Sequence, residues 1–242
     1  MPRAVLFDLD GTLLDIDLDT FLPAYLQAVA CRVEAYLPPE RFVRELMRST
    51  GAMVADRDPS RTNQMVFRED FFPRLGLAEE ELRPIFEDFY RRDFPRLHAY
   101  ARPVPAARTV VQAIQRAGFR TAVATNPVFP LVAVRERLRW AGLADLPFDL
   151  ITSYEIMHFC KPHPEYYAEV ACLLGCRPEE CMMAGDDPAM DLAGARAAGM
   201  RVFHVTNSAG GTGERGKLED LLAVLRVPGG VPGAPVESRG NP

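Results

Sequence analysis

Val5-Leu6-Phe7-Asp8-Leu9-Asp10-Gly11-Thr12 is a short apolar run that stops abruptly in two carboxylates, a glycine and a hydroxyl. Side chains alternate along a strand, so Asp8 and Asp10, two apart, are expected on one face. Carboxylates held side by side repel unless one takes up a proton or a divalent cation sits near both, and a hard cation such as Mg2+ prefers oxygen ligands. Gly11 permits a sharp exit from the strand, while Thr12 offers a hydroxyl to a phosphate oxygen or caps a turn. By itself the octapeptide reads equally as a strand followed by a polar turn.

Working outward, the pattern after Asp15 changes to helical periodicity. Leu18 to Tyr36, Glu40 to Ser49, Gln64 to Leu75 and Glu79 to Arg96 each read as amphipathic helix, with no strand signal between them. From Pro103 helix and strand alternate: helix over Ala106–Ala117, strand over Phe119–Ala124, helix over Leu131–Trp140, strand over Phe148–Thr152. The alternation continues with helix over Glu165–Leu174, strand over Cys181–Ala184, helix over Met190–Ala198, strand over Arg201–Val205 and helix over Lys217–Leu225. Gly118, Gly142, Gly175 and Gly199 follow the ends of these helices, as C-terminal caps do. Alternation of this kind means parallel strands joined by crossover helices and buried on both faces, an α/β Rossmann-like sheet in a three-layer sandwich.

The all-helical block then reads as an insertion after the first strand. The expected division is a catalytic core of residues 1–15 and 99–226, a helical cap of 16–98 with hinges near Ile16 and Tyr100–Pro105, and a disordered Pro- and Gly-rich tail, 227–242. With 28 basic against 33 acidic residues the arginines are scattered among carboxylates, which argues against nucleic acid as a partner. The absence of a long apolar stretch or a charged apolar leader sets the expectation of a cytoplasmic protein with no membrane partner. Cys31, Cys160, Cys172, Cys176 and Cys181 form no CxxC pair, so neither a disulfide framework nor structural zinc is expected, and Cys172 and Cys176 are expected in the core.

In an open α/β sheet ligands bind beyond the carboxyl ends of the strands. The first strand ends in Asp8 and Asp10, the second core strand in Thr125-Asn126, the third leads on to Lys161-Pro162, and the fourth ends in Gly185-Asp186-Asp187, with Asp191 on the next helix. Taken singly, Thr125 is an ordinary strand-end residue and Lys161 a solvated lysine. Together these endings put a nucleophile, a hydroxyl donor, a cation and further metal ligands on one edge, the set that phosphoryl transfer requires.

With those motifs quoted, the chain resembles a haloacid dehalogenase superfamily phosphatase with a helical cap after the first strand. The likeness extends to about residue 225. It implies a strand order of 5-4-1-2-3 among the core strands, Asp8 as nucleophile forming an aspartyl-phosphate, and Asp10 as general acid and then base. It also implies that Thr125 and Lys161 hold the phosphoryl oxygens and that Mg2+ binds Asp8, the Asp10 carbonyl and Asp186, with Asp191 a further metal-site residue. Cys160 stands where many relatives have glycine, which raises the expectation of oxidation near the site. His158 and His163 flank Lys161 within reach of a substrate.

The expected partner is a small phosphorylated substrate. Thr12 and Asn126 are candidates to bind it, as are Arg57 and Arg61 of the cap, since the arginine fork suits phosphate and carboxylate. Alternatives are a phosphosugar mutase on the same fold and a non-catalytic metabolite-binding protein. A dehalogenase has no leaving group to protonate, so Asp10 argues against one. Oligomeric state, monomer or homodimer, is open.

Overall fold

The computed structural model describes residues 2–206 and 214–227. The chain starts with β1 (Ala4–Phe7) and passes through a turn into β2 (Leu14–Ile16). It then enters four helices, α1 (Leu18–Val33), α2 (Pro39–Ala55), α3 (Asn63–Leu75) and α4 (Glu79–Arg92), and a 3₁₀ segment, Phe94–Tyr100. β3 (Ala101–Pro103) brings it back alongside β2. There follow α5 (Ala107–Arg116), β4 (Arg120–Val123), α6 (Leu131–Trp140), β5 (Leu150–Ile151) and α7 (Pro164–Leu173). β6 (Cys181–Gly185) leads through a π-helical turn, Pro188–Ala193, into α8 (Gly194–Ala197), and β7 (Arg201–Val205), β8 (Arg215–Gly216) and α9 (Asp220–Val224) complete the fold.

The six-stranded sheet runs β5-β4-β1-β6-β7-β8, parallel throughout. Counting only β1, β4, β5, β6 and β7, this is the expected 5-4-1-2-3 order, with β8 added at the edge. β1 is wholly buried because it is the central strand of a sheet covered on both faces. Its alternation feeds two cores: Val5 and Phe7 pack towards α5, α6 and α9, whereas Ala4 and Leu6 pack towards Tyr166, Tyr167 and Val170 of α7 and Ala195 of α8. That is the three-layer α/β/α sandwich.

The helical block has a core of its own, built of aromatic rings. Phe21, Tyr25, Phe89 and Phe94 pack edge to face, and Phe94 stacks on Trp140 of α6 at 5.3 Å, so the block is seated on the sheet layer by ring contacts. Local signals set its helix ends. The carboxylate of Asp17 caps α1 by accepting from the Asp19 N–H at 3.0 Å, and Thr62 caps α3 by accepting from Met65. α4 starts with three glutamates and ends with two arginines, in the sense that suits the helix dipole.

The structure departs from the sequence-based expectation at several places. The two presumed hinges are strands: β2 and β3 pair antiparallel, Leu14 with Pro103 and Ile16 with Ala101, and three residues are too few for alternation to register. The helix expected through Arg96 breaks after Arg92 into the 3₁₀ segment. Cys172 is exposed rather than in the core, and all five cysteines are free. Val227, assigned to the tail, is buried and donates to the Leu222 carbonyl at 2.9 Å; the rest of the expected disordered tail, 228–242, lies outside the described residues. No helix of the described residues is long and apolar enough to cross a membrane.

Candidate active site

The site is built where β1, β4 and β6 end, and where the chain leaves β5 for α7. Asp8 follows β1 directly and its N–H donates to Ala184 of β6 at 2.9 Å, which fixes the carboxylate at the strand tip. Lys161 Nζ donates to Asp8 Oδ1 at 2.7 Å and to Asp191 Oδ1 at 2.6 Å. All three side chains are almost wholly buried. Burial alone would lower the Lys161 pKa; the charges of Asp8 and Asp191 outweigh it and hold the ammonium well above its ordinary value. Asp8 moves the other way, pushed up to about 8 by burial, with Asp191 and Asp10 adding to the rise against the pull of Lys161.

Asp186 completes the carboxylate group. One oxygen from each of Asp8, Asp186 and Asp191 lies within 4.8 Å of the others. Among the described residues Asp186 has no cation; its Oδ1 accepts from Thr12 Oγ1 at 3.1 Å, and burial followed by the charge of Asp191 raises its pKa. Three carboxylates against one ammonium leave an excess of negative charge on hard oxygens, the donor chemistry that suits Mg2+. The residues present therefore fit a divalent cation.

Two glycines make the crowding possible. Gly11 sits at φ +92°, and a Cβ there would stand 2.3 Å from Asp186 Oδ2. A Cβ on Gly185 would meet Asp191 Oδ2 at the same distance. Asp191 itself has both oxygens occupied, one by Lys161 and the other by the Asp187 N–H at 3.1 Å. Asp187 caps the π-helical turn, accepting from Ala189 and Met190, and so is committed to the backbone.

Further support comes from below and beside the site. Asn126 Oδ1 accepts from the Lys161 N–H at 3.1 Å, so this side chain orients the loop that carries the lysine. The Thr125 carbonyl accepts from Tyr166 Oη and Thr152 Oγ1, both at 2.8 Å, which ties β4, β5 and α7 together beneath the site.

Asp10 sits near enough to Asp8 for its charge to add to the rise of that carboxyl's pKa. β1 ends at Phe7, so strand alternation does not carry through to it, and its carboxylate lies outside the Asp8–Asp186–Asp191 group. Instead Arg137 of α6 is paired with Asp10 Oδ2. Arg137 was missed because it stands in a run of charged residues, Arg135-Glu136-Arg137-Leu138-Arg139, that resembles a solvated face. A signal was there: Ala133, Val134, Arg137, Leu138 and Ala141 fall on one buried helical face, and only a paired arginine belongs on it.

Arg57 and Arg61 are not brought to the site. Arg57 is paired with Glu165 on the surface, and Arg61 with Asp56 at 2.5 Å, Glu69 at 3.2 Å and Asp58 at 3.4 Å. His158 is held by Glu169 at 2.6 Å, and His163 Nε2 lies 3.2 Å from the Val54 carbonyl, so both are engaged within the protein. Cys160 is buried under Asn63, whose Nδ2 lies 3.3 Å from its sulfur, and burial pushes its thiol up to about 12. A buried, protonated thiol argues against oxidation at this cysteine, since the thiolate is the reactive form.

Comparison with known proteins agrees with this geometry. The chain is 35% identical over 144 residues to the phosphoserine phosphatase of Thermus thermophilus, a match that covers 59% of this chain and only 53% of that protein. It is 28% identical over 200 residues to the phosphoglycolate phosphatase of Xylella fastidiosa, covering 82% and 78%. The crystal structure of 2-haloacid dehalogenase from Pseudomonas syringae superposes with a TM-score of 0.62 at 23% identity, over 93% of this chain and 99% of that one, a likeness of fold. The model of the haloacid dehalogenase-like hydrolases matches residues 2–199, and the chain belongs to that family.

Proposed function

We propose that the protein is a Mg2+-dependent phosphatase that hydrolyses a small phosphomonoester through an aspartyl-phosphate on Asp8. The observation that carries this reading is the buried Asp8 carboxylate at the tip of β1, 2.7 Å from Lys161 Nζ and beside Asp186, which has no cation of its own among the described residues. The phosphatase names of the two relatives support it. The dehalogenase fold match does not compete, because Asp10 supplies an acid that a halide leaving group does not need. In this reading residues 16–98 are a cap, and residues 1–15 with 99–226 the catalytic core.

An Asp8 oxygen attacks phosphorus in line with the ester oxygen; the P–O bond to the alcohol breaks, and Asp10 gives its proton to the departing oxygen. Water then attacks phosphorus, Asp10 takes the proton, and the acyl-phosphate bond breaks to return Asp8. In this reading Lys161 and Thr125 offset charge on the phosphoryl oxygens throughout. Asp8, Asp186 and the Asp10 carbonyl would hold Mg2+, which when bound supplies charge neutralisation for the transferred group. Asp191 positions Lys161. The proposed setting is the cytoplasm, where five free thiols stay reduced.

Phosphate release from a panel of phosphomonoesters, with Mg2+ and with chelator, tests the reading. We expect metal-dependent turnover that falls by about 10⁴-fold or more in Asp8→Asn, the scale at which loss of a nucleophile acts. Turnover that survives either the substitution or the chelator would count against it.

A further inference from the structure

Between the crest and the helical block lies a chamber of about 330 Å³, and Asp10, Thr125 and Asn126 belong to its lining at the crest end. Away from them the wall is apolar, with Leu22, Leu26, Leu46, Phe67, Phe71 and Phe86 supplied by α1 to α4. An apolar cavity of about 150 Å³ already admits a benzene ring. There is space here for a ring and the carbons that join it to a phosphate.

The polar groups of that wall are engaged internally. Tyr25 and Tyr90 hydroxyls bond to each other at 3.0 Å, Thr50 Oγ1 donates to the Leu46 carbonyl at 2.9 Å, and Tyr154 Oη lies 3.5 Å from Gln64 Nε2. A polyol would bring several hydroxyls into a chamber that has few partners to give them, and buried polar groups without partners are costly.

Charge is closed off as well. Among the described residues Asp10 and Arg137 are the only charged groups of the lining, and they are paired with each other. The Arg137 side chain is 2% exposed, its Cζ stands 4.7 Å from the Phe129 ring centroid, and its Nε and Nη2 are buried, so this guanidinium offers no edge to an incoming anion. A carboxylate carried into the chamber would give up its hydration and meet no cation, which costs far more than burying a neutral group of the same shape.

Resting on the phosphatase reading above, we infer that the substrate is the phosphate monoester of an uncharged alcohol with an apolar, ring-sized body. The phosphoryl group lies at the crest and the body fills the chamber. Selectivity then comes from shutting out charge and hydroxyls, with no bond made to either.

Four esters test this: ethyl phosphate, 2-phenylethyl phosphate, and the 2-(4-nitrophenyl)ethyl and 2-(4-carboxyphenyl)ethyl phosphates. Nitro and carboxylate groups share a shape and differ in charge, so the last two compare charge alone at the far end of the ring. We expect the plain ring to raise kcat/KM about tenfold or more over ethyl phosphate, and the carboxylate ester to fall about tenfold or more below the nitro ester, the scale on which an apolar pocket discriminates. A smaller effect of either kind overturns the inference. In Leu26→Trp an indole takes up chamber volume, so the ring gain should drop below about threefold whatever the absolute rate. A larger gain retained there places the ring elsewhere and also overturns it; if that variant does not fold, the four esters on the wild-type protein decide. If none of the four is hydrolysed, the phosphatase reading is what has failed. Calorimetric titration of the nitro and carboxylate esters then decides the chamber: binding of the nitro ester tighter by about tenfold or more upholds it, and a smaller difference overturns it.

Discussion

The crest of the sheet and the chamber beneath the cap are neighbours built on opposite principles. At the crest one ammonium bonds two carboxylates, Asp8 and Asp191, and an oxygen of a third, Asp186, lies within 4.8 Å of theirs; each is aimed by the backbone of a strand end or the turn after it. In the chamber the walls are rings and branched chains from four helices, and a single buried cation, Arg137, carries the charge. Charge at the crest is held where Lys161 answers Asp8 and Asp191, while Asp186 has only the Thr12 hydroxyl. The chamber, by contrast, leaves open the positions a ligand must fill. Chemistry that serves any phosphate ester is therefore fixed in short segments, and discrimination between esters is spread over residues far apart in the chain.

The sharpest way to break the crest is to remove its cation. Lys161→Met leaves Asp8 and Asp191 facing each other in a buried site. Breaking a buried pair from one side costs about 3–5 kcal/mol. For a chain of this size that corresponds to a Tm lower by roughly 6–20 °C, readable by circular dichroism, and phosphate release should fall with it. A small Tm change would mean that the crest tolerates unpaired carboxylates, and the contrast with the chamber would be lost.

The cap's own core gives the next effect. Phe94 contacts Phe21, Tyr25 and Phe89 within the cap and stacks on Trp140 of α6, so it belongs to both layers. Phe94→Ala should cost about 3–5 kcal/mol, the range for a large buried ring. If the chamber depends on how the cap is seated, KM for a ring-bearing ester should rise more than KM for ethyl phosphate. An equal change in both would show that Phe94 supports stability alone.

How much of this was legible follows from the same division. β1, β4, β6 and β7 are apolar runs with polar endings, so their parallel sense and the candidate residues Asp8, Thr125, Lys161 and Asp186 could be read from short windows, whereas the strand order came from the family resemblance. β2 and β3 could not, since three residues of antiparallel pairing carry no periodic signal and their partners are some ninety positions apart along the chain. Arg137 was hidden for a different reason: its neighbours Arg135 and Arg139 are exposed, and a charged run is read by its majority. Only the helical phase set by Ala133, Val134 and Leu138 separates it from them.

Cys160 tests how tightly the seam between crest and cap is closed. Its pKa is raised from 9.0 to about 12, first by burial, so the folded protein keeps the proton. The sign follows: the stability this thiol contributes is present below pH 9 and is lost only as the pH rises towards 12. Alkylation at pH 8 should therefore be slow in the native protein and fast in denaturant, as mass spectrometry of the modified peptide would read. Rapid native labelling of Cys160 would mean that the Asn63 contact opens readily and that the seam is loose.

The smallest effects are expected where sequence alone pointed to recognition. Arg57 and Arg61 carry the fork geometry that suits a phosphate, yet each is already matched on the surface, Arg57 by Glu165 and Arg61 by Asp56, Asp58 and Glu69. Exposed pairs of this kind contribute little, because solvent screens them and two long side chains must be ordered to form them. Arg57→Ala and Arg61→Ala should change kcat/KM by about twofold or less, in a phosphate-release assay run with the panel of phosphomonoesters. Arg137→Met in the same assay should cost far more, since it leaves the Asp10 carboxylate without its buried partner. A tenfold loss at Arg61 would place a surface arginine in recognition and collapse the distinction between an arginine that is paired outside and one that is buried against Asp10.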